Sequence, residues 1–276
     1  MIQLDTIAAL RAWRSQHPQV ALVPTMGNLH AGHLSLINLA QQHADHVLVS
    51  IFVNPLQFGA GEDFNRYPRT LEHDRTLLTS AGAAALFVPS TTDLYPHEQT
   101  CYIELPAVSN TLCGASRPGH FRGVATVVMK LFNLVQPDVA VFGHKDYQQL
   151  SLIRRMTDEF CLPIRILAGD TVRAADGLAL SSRNQYLNAQ QRAQAPQLYQ
   201  QLQYIVTQLK LGQRDFDKLE QTAVQSLEQQ GWQVDYVSIR DDTLEPPAPT
   251  TSHWVVLAAA RLGTTRLIDN ECIKLK

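Results

Sequence analysis

Short apolar runs alternate with helix-spaced patterns over the first two thirds of this chain, and this alternation limits the fold more than any other feature. The runs are apolar throughout, which is typical of strands covered on both faces. Strands separated by helices predict an α/β fold with a doubly wound parallel sheet. The predicted strands are Val20–Val23, Val47–Val53, Ala84–Val88, Val139–Phe142 and Ile164–Leu167, and the predicted helices lie around Leu34–His43, Leu71–Ser80, Gly123–Val135 and Tyr147–Phe160.

The pattern changes near Asn188, where two helical segments are followed by three strand-like runs. We therefore predict two domains, residues 1–185 and a smaller α+β C-terminal domain of residues 186–276, which we expect to close over the first. The predicted helices of the second are Ala189–Leu211 and Asp215–Gln230, and its predicted strands are Val234–Ile239, Trp254–Ala259 and Arg266–Ile268.

Charge and composition exclude several classes of function. The formal net charge is −2 and like charges do not cluster, which argues against nucleic acid or a membrane as partner. Charged residues interrupt the first 20 positions, unlike a signal peptide. The four cysteines form no CxxC pair, so reduced thiols in a cytoplasmic protein are the favoured interpretation.

The turn after the first predicted strand, PTMGNLHAGH, is the main candidate for binding phosphate. A helix N-terminus offers unpaired N–H groups and a partial positive charge, and His30 and His33 add side-chain donors. Neither GxxxxGK[ST] nor GxGxxG follows this strand. Two alternatives stay open, namely histidines that only cap the helix and a metal site that lacks an evident third ligand.

Polar residues also follow the second predicted strand, in FVNPLQFG. Asn54 and Gln57 present neutral amides at the strand's carboxyl end, the edge where doubly wound sheets bind ligands. Neutral donors orient a carboxylate nucleophile without a tight ion pair. The alternative for Asn54 is a turn built by Asn-Pro.

Two later segments carry positive charge after a glycine. Gly143-His144-Lys145-Asp146 follows the fourth predicted strand, so Lys145 is expected to point toward the same crevice, although a lone lysine is usually only solvated. In DGLALSSRN, Ser181, Ser182 and Arg183 suit phosphate oxygens, with a surface turn as the alternative.

Taken in order, these segments closely resemble the pantoate–β-alanine ligase family of the HxGH nucleotidyltransferase superfamily. The resemblance covers most of Val20 to Leu187, and the tail matches only loosely. One departure is His144, where the family more often has an acidic or different polar residue. The matching motifs are PTMGNLHAGH, SIFVNPLQFG, YPRT, GHFRGVATVVMKLFNLVQPD, VFGHKDYQQL and DGLALSSRNQYL.

The resemblance implies a Rossmann-like first domain and a role for each segment. It places the substrates near Gln57, with Gln149 also on pantoate, and makes His33 the proton donor. Asn54 joins these amides as a substrate-binding candidate, and the catalytic candidates are His30, His33, Lys145, Ser181, Ser182 and Arg183. The implied ATP contacts are Met26, Gly27, Asn28, Leu29, His30, Ala31, Gly32, His33, Gly143, His144, Lys145, Asp146, Val172, Leu180, Ser181, Ser182 and Arg183.

The implied reaction joins (R)-pantoate to β-alanine with ATP, through a pantoyl-adenylate. The resemblance also implies a cytoplasmic homodimer that requires Mg²⁺. Two alternatives remain: an HxGH enzyme that transfers a nucleotidyl group to a phosphate ester, and a nucleotide-binding module without catalysis. The Gln57 and Gln149 amides suit a small hydroxy acid better than a phosphate ester, which would call for a basic pocket.

Overall fold

The structure, a computed structural model, describes residues 1–248 and 253–274. It separates into two compact units. One consists of Met1–Ser109, Arg117–His144 and Gln149–Asp170, and the other of Asn110–Ser116, Lys145–Gln148 and the described part of Thr171–Lys276. The division at residues 185/186 stays a prediction.

The first unit is built on a six-stranded sheet in which all paired strands run parallel. Its strand order is β1-β4-β3-β2-β5-β6, so the predicted Rossmann-like fold class is confirmed. The strands are β1 (Ile2–Leu4), β2 (Val20–Thr25), β3 (His46–Ile51), β4 (Ala85–Phe87), β5 (Val139–Gly143) and β6 (Arg165–Gly169).

Helices cover both faces of this sheet. Successive residues of β2 enter different cores: Leu22 packs with α6 and α7, and Val23 packs with α2. Burial on both faces explains why the strands read as continuous apolar runs. The helices up to the end of β6 are α1 (Ile7–Ser15), α2 (Ala31–Gln41), α3 (Leu71–Ser80), α4 (Thr91–Leu94), α5 (Cys113–Ser116), α6 (His120–Val135) and α7 (Tyr147–Glu159).

The chain reverses its direction of winding at β2, which lies between β3 and β5. Ala21 pairs with Val139 and Leu22 with Ala140, so β2 and β5 end at the same edge of the sheet. This is the topological switch point, where open α/β sheets bind their ligands. The turn that carries His30 follows β2, and the chain leaving β5 continues directly into Lys145.

The second unit contains a three-stranded antiparallel sheet in the order β7-β8-β9. A core that includes Leu202, Leu227, Trp254 and Val256 joins this sheet to α9 and α10. Its remaining elements are α8 (Ala189–Gln194), α9 (Gln197–Lys210), α10 (Phe216–Gln229), β7 (Gln233–Asp241), β8 (His253–Leu262) and β9 (Thr265–Lys274).

The structure differs from the sequence prediction in several places. The helix predicted over Ala189–Leu211 is divided in two around Pro196, because proline lacks the N–H that a helix interior needs. The sequence patterns also do not predict β1, which has three residues, or α1, which has nine.

Among residues 1–248 and 253–274, no helix has the length and hydropathy that a membrane span requires.

Candidate active site

A buried carboxylate from α3 fixes the shape of the turn between β2 and α2. Gly27 has a φ of 84°, and a Cβ there would lie 3.1 Å from Cγ2 of Ile51, so this position favours glycine. The fully buried Asp74 accepts hydrogen bonds from the N–H groups of Asn28 (2.9 Å) and Leu29 (2.8 Å). Asp74 therefore holds the backbone of this turn in place.

The two histidines of the turn form a capping box at the start of α2. Nδ1 of His30 accepts from the N–H of Gly32 at 3.1 Å, and Nδ1 of His33 accepts from the N–H of His30 at 3.3 Å. An imidazole nitrogen that accepts cannot carry the proton, so both neutral rings hold their proton on Nε2. The rings lie with centroids 4.1 Å apart. Capping thus makes each histidine an Nε2–H donor.

Several main-chain N–H groups of this turn already have acceptors in the protein, so they are not the donors for a phosphate. The N–H groups of Asn28 and Leu29 donate to Asp74 of α3. Those of His30, Gly32 and His33 are engaged within the turn itself. The expectation that unpaired backbone N–H groups at the start of α2 form the anion site is therefore not met at these positions. The imidazole side chains are the stronger candidates.

A metal site at the two histidines does not fit the structure. Both Nδ1 atoms already accept from the main chain. Across residues 1–248 and 253–274, no group of three His, Cys, Asp or Glu side chains could hold a metal ion. The donor set instead suits an anion.

After β3, Asn54 is almost completely buried and every one of its hydrogen-bonding positions is used. Its Oδ1 accepts from the hydroxyl of Tyr95 at 2.8 Å and from the N–H of Leu56 at 3.4 Å. Its Nδ2 donates to Oε1 of Gln57 and to the carbonyl oxygen of Gly123, both at 3.1 Å. Asn54 therefore supports Gln57, and its direct contact with a substrate stays a prediction.

These contacts determine which end of the Gln57 amide can meet a ligand. The carbonyl of Gly123 can only accept, so Nδ2 of Asn54 must face it, and Oε1 of Gln57 then receives the second Nδ2 hydrogen. Nε2 of Gln57 lies 3.2 Å from the sulfur of Met26, which is a weak acceptor. Gln57 thus presents an N–H donor beside the turn after β2.

Tyr95 completes this chain of hydrogen bonds as a donor. Burial raises the pKa of the Tyr95 hydroxyl, and the charge interaction with the neighbouring Tyr102 raises it further, so the hydroxyl keeps its proton. The ammonium of Lys130 lies over the Tyr95 ring, 4.5 Å from its centroid, and donates to the carbonyl oxygen of Leu94. No motif or spacing in the sequence singles out Tyr95 or Lys130 as parts of the site.

The main chain of Gln57 is held as firmly as its side chain. Its carbonyl oxygen accepts from Nδ1 of His120 at 2.8 Å and from Arg117 at 3.2 Å. Arg117 also pairs with both carboxylate oxygens of Glu62, at 2.7 and 2.6 Å. Burial by itself would raise the pKa of Glu62, but the hydrogen bond and charge of Arg117 outweigh it, and the pKa is lowered. Glu62 thus stays ionised near neutral pH and keeps Arg117 in place against the carbonyl oxygen of Gln57.

In the second unit, Lys145 lies in a single 3₁₀ turn, His144–Asp146, directly after β5. Its ammonium is 3.4 Å from a carboxylate oxygen of Asp146, and its side chain is largely buried. The side-chain nitrogen of Asn270 donates to the carbonyl oxygen of Lys145 at 2.8 Å. Gln149, the other substrate candidate, is partly buried on α7 and belongs to the first unit.

The segment that ends in Arg183 is also built within the second unit. The N–H of Leu180 donates to the carbonyl oxygen of Val172 at 2.9 Å, which brings two predicted ATP contacts together. Ser181 caps the 3₁₀ turn Ser182–Tyr186, and its hydroxyl accepts from the N–H of Arg183 at 3.3 Å. The two serines and the arginine are therefore arranged by one local turn.

The fold and the turn after β2 together define a Rossmann-like α/β protein with a His-x-Gly-His turn at the switch point of its sheet. The family model for pantoate-beta-alanine ligase matches residues 3–272. This chain belongs to the pantoate-beta-alanine ligase family.

Relatives of similar length support this assignment. The chain is 57% identical over 274 residues to a pantothenate synthetase of Neisseria meningitidis, with 99% of each sequence covered. It is 58% identical over 269 residues to the pantothenate synthetase of Thiobacillus denitrificans, covering 97% of this chain and 95% of the relative.

Solved structures agree with the fold over nearly the whole chain. Pantothenate synthetase from Thermus thermophilus superposes with a TM-score of 0.93 at 42% identity, covering 98% of this chain and 99% of the other. A pantoate-beta-alanine ligase from Francisella tularensis, complexed with beta-gamma ATP and beta-alanine, gives a TM-score of 0.81 at 35% identity, covering 98% and 97%.

Proposed function

We propose that this chain joins (R)-pantoate to β-alanine, consuming ATP and releasing AMP and pyrophosphate through a pantoyl-adenylate. The match to the pantoate-beta-alanine ligase model over residues 3–272 carries this proposal. The Francisella relative, complexed with beta-gamma ATP and beta-alanine, supports the nucleotide and the amine as substrates.

In the first half-reaction, an oxygen of the pantoate carboxylate attacks the α-phosphorus of ATP, and the bond to pyrophosphate breaks. The carboxylate is ionised at neutral pH and needs no base. The protein must align the reactants and offset charge on the phosphate oxygens. We assign the Nε2–H groups of His30 and His33, the ammonium of Lys145 and the guanidinium of Arg183 to that task, with the hydroxyls of Ser181 and Ser182.

In the second half-reaction, the amine of β-alanine attacks the acyl carbon of the adenylate. A C–N bond forms, the C–O bond to AMP breaks, and the nitrogen loses a proton to the solvent. Gln57 holds pantoate through its Nε2–H group, because Asn54 occupies Oε1 of Gln57 and Nε2 faces the sulfur of Met26, a weak acceptor that a carboxylate can replace.

Mg²⁺ fits this chain as a companion of the nucleotide. The described residues offer no cluster of three metal-binding side chains, and Mg²⁺ commonly binds through substrate phosphates and water. We therefore propose MgATP as the substrate, with the ion neutralising phosphate charge. A homodimer in the cytoplasm completes the proposal, and four cysteines without a disulfide agree with a reducing compartment.

Pyrophosphate release tests the function directly. The chain is incubated with MgATP and pantoate, with and without β-alanine, and pyrophosphate, AMP and pantothenate are measured. We expect pyrophosphate in both mixtures, but continuous formation of AMP and pantothenate only with β-alanine. Absence of pyrophosphate, or a product that retains the nucleotide, would contradict the proposal.

Gln57→Ala is expected to weaken substrate binding more than it slows turnover. It removes one hydrogen bond to a charged group, which is worth about 1.5–3 kcal/mol and corresponds to a roughly 10- to 100-fold higher KM for pantoate. Steady-state kinetics with varied pantoate measure the change. The control is Gln200→Ala, at an exposed position of α9. An unchanged KM in the Gln57 variant would remove this residue from the substrate site.

Gly123→Ala is expected to displace the backbone that carries Gln57. A Cβ at Gly123 would overlap the carbonyl oxygen of Leu56 and would lie 2.8 Å from the nitrogen of Gln57. Both atoms are backbone, so the segment must move, at a cost of about 1–3 kcal/mol of unfolding free energy. Denaturant unfolding and the KM for pantoate are both expected to change.

The matched control for this variant is Gly59→Ala. A Cβ at Gly59 would meet only the Glu62 side chain, at an ordinary 3.9 Å. The control should keep both stability and KM. Equal effects of the two substitutions would show that the contact of Gly123 with the Leu56–Gln57 backbone is not what matters.

A further inference from the structure

Two adjacent residues of β9 connect to the two segments of the second unit that carry positive charge, namely Lys145 and the turn that leads to Ser181–Arg183. Asn270, which is 3% exposed, donates from Nδ2 to the carbonyl oxygen of Lys145 at 2.8 Å. The carboxylate of its neighbour Asp269 accepts hydrogen bonds from both terminal nitrogens of Arg173, at 2.6 and 2.9 Å. All four residues belong to the second unit.

Arg173 extends this arrangement to the turn that leads to Ser181–Arg183. Its guanidinium donates to the carbonyl oxygen of Gly177 at 3.1 Å and to that of Asn270 at 3.2 Å. Arg173 and Ala179 form an antiparallel bridge, so this turn leads directly into the serines. The same guanidinium lies over the ring of Tyr199, 3.6 Å from its centroid.

The charges in this cluster are mutually supporting. Burial raises the pKa of Asp269, and the hydrogen bonds and charge of Arg173 act against that rise. The charge of Lys145 also favours the ionised form of Asp269. A buried bidentate arginine–carboxylate pair has a narrow range of geometries, so it fixes its neighbours more closely than an exposed pair does.

We propose that Arg173, Asp269 and Asn270 are positioning residues that hold Lys145 and the Ser181–Arg183 turn in one preset arrangement for the phosphates of ATP. This inference rests on the proposed function and adds to it a role for β9. Preorganised cations stabilise a charged transition state without rearranging during the reaction, and a displacement of about 1 Å can cost on the order of 10²-fold in rate.

A double-mutant cycle between Asn270 and Lys145 tests the proposal. Pyrophosphate release from MgATP and pantoate is measured for the unaltered chain, Asn270→Ala, Lys145→Ala and the double variant. If Asn270 acts through Lys145, Asn270→Ala should slow the unaltered chain by about 10- to 100-fold. In the Lys145→Ala background the same substitution should change the rate by less than about threefold.

A purely structural role predicts a different outcome. Loss of Asn270 would then slow both backgrounds by the same factor, and that result, or an unchanged rate in Asn270→Ala, would overturn the proposal. Asp215→Ala removes the N-cap of α10 in the same unit and serves as the stability control, with a lower melting temperature but a normal rate.

Two further points keep the test decisive. If Asn270→Ala does not fold, Asn270→Leu takes its place in the cycle, since leucine keeps the approximate shape of the side chain, lacks the Nδ2 donor and adds no charge beside Asp269. Failure of the proposed function is distinguishable, because the unaltered chain would then release no pyrophosphate at all.

Discussion

Lys145→Ala is expected to slow pyrophosphate release about 10²–10³-fold while leaving the fold intact. The substitution removes an ammonium group that we assign to the phosphates during the first half-reaction. Its ammonium pairs with Asp146 of the same turn at 3.4 Å, and the loss of this local ion pair should cost less than about 1 kcal/mol of stability. Rapid-mixing measurement of pyrophosphate in the absence of β-alanine isolates this step.

Two control variants separate the charge of Lys145 from its geometry. Lys145→Arg keeps the charge but replaces a compact ammonium with a planar fork, and should recover only part of the rate. Lys218→Ala removes an exposed lysine of α10 and should leave the rate unchanged. Near-normal release of pyrophosphate by Lys145→Ala would withdraw this residue from the site.

The elements that the sequence predicts most accurately have signals contained in one short window. The helix expected over Leu71–Ser80 has those bounds in the structure, and the strand expected over Val139–Phe142 is one residue longer. Apolar periodicity is local, and so is the glycine-containing turn that follows β2. The order of the strands is then restricted by the connection rules for parallel sheets.

The supports of the site have no comparable local signal. Asp74 reaches the turn after β2 from α3, and Tyr95 reaches Asn54 across 41 positions of the sequence. Asn270 reaches Lys145 across 125 positions. Each is one polar residue whose importance comes from a partner brought close only by folding, so spacing along the chain does not reveal it.

The same distinction applies to the C-terminal tail. The motifs of the resemblance end near Leu187, although the family model extends to residue 272, and the role of the tail as a closing domain stays a prediction. The structure places Lys145–Gln148 in the same compact unit as the tail, and Asn270 of β9 donates to the carbonyl oxygen of Lys145. Only folding brings these two distant segments together.

His33→Ala is expected to slow pyrophosphate release by about 10²–10³-fold, because it removes one of the two Nε2–H donors at the start of α2. It should also lower stability, since the N–H of His30 loses its acceptor. Comparable losses of a helix cap cost about 0.5–2 kcal/mol. Denaturant unfolding and single-turnover pyrophosphate release measure the two effects separately.

His33→Gln distinguishes the donor from the cap. Glutamine at the third helical position is a normal partner in a capping box, so it can accept from the N–H of His30 and should restore most of the lost stability. Its amide cannot place an N–H donor where the imidazole Nε2 lies while it also accepts through its oxygen, so the rate should stay low. A rate that recovers together with stability would show that His33 serves the helix alone, and the proton-bearing Nε2 would then have no part in the reaction.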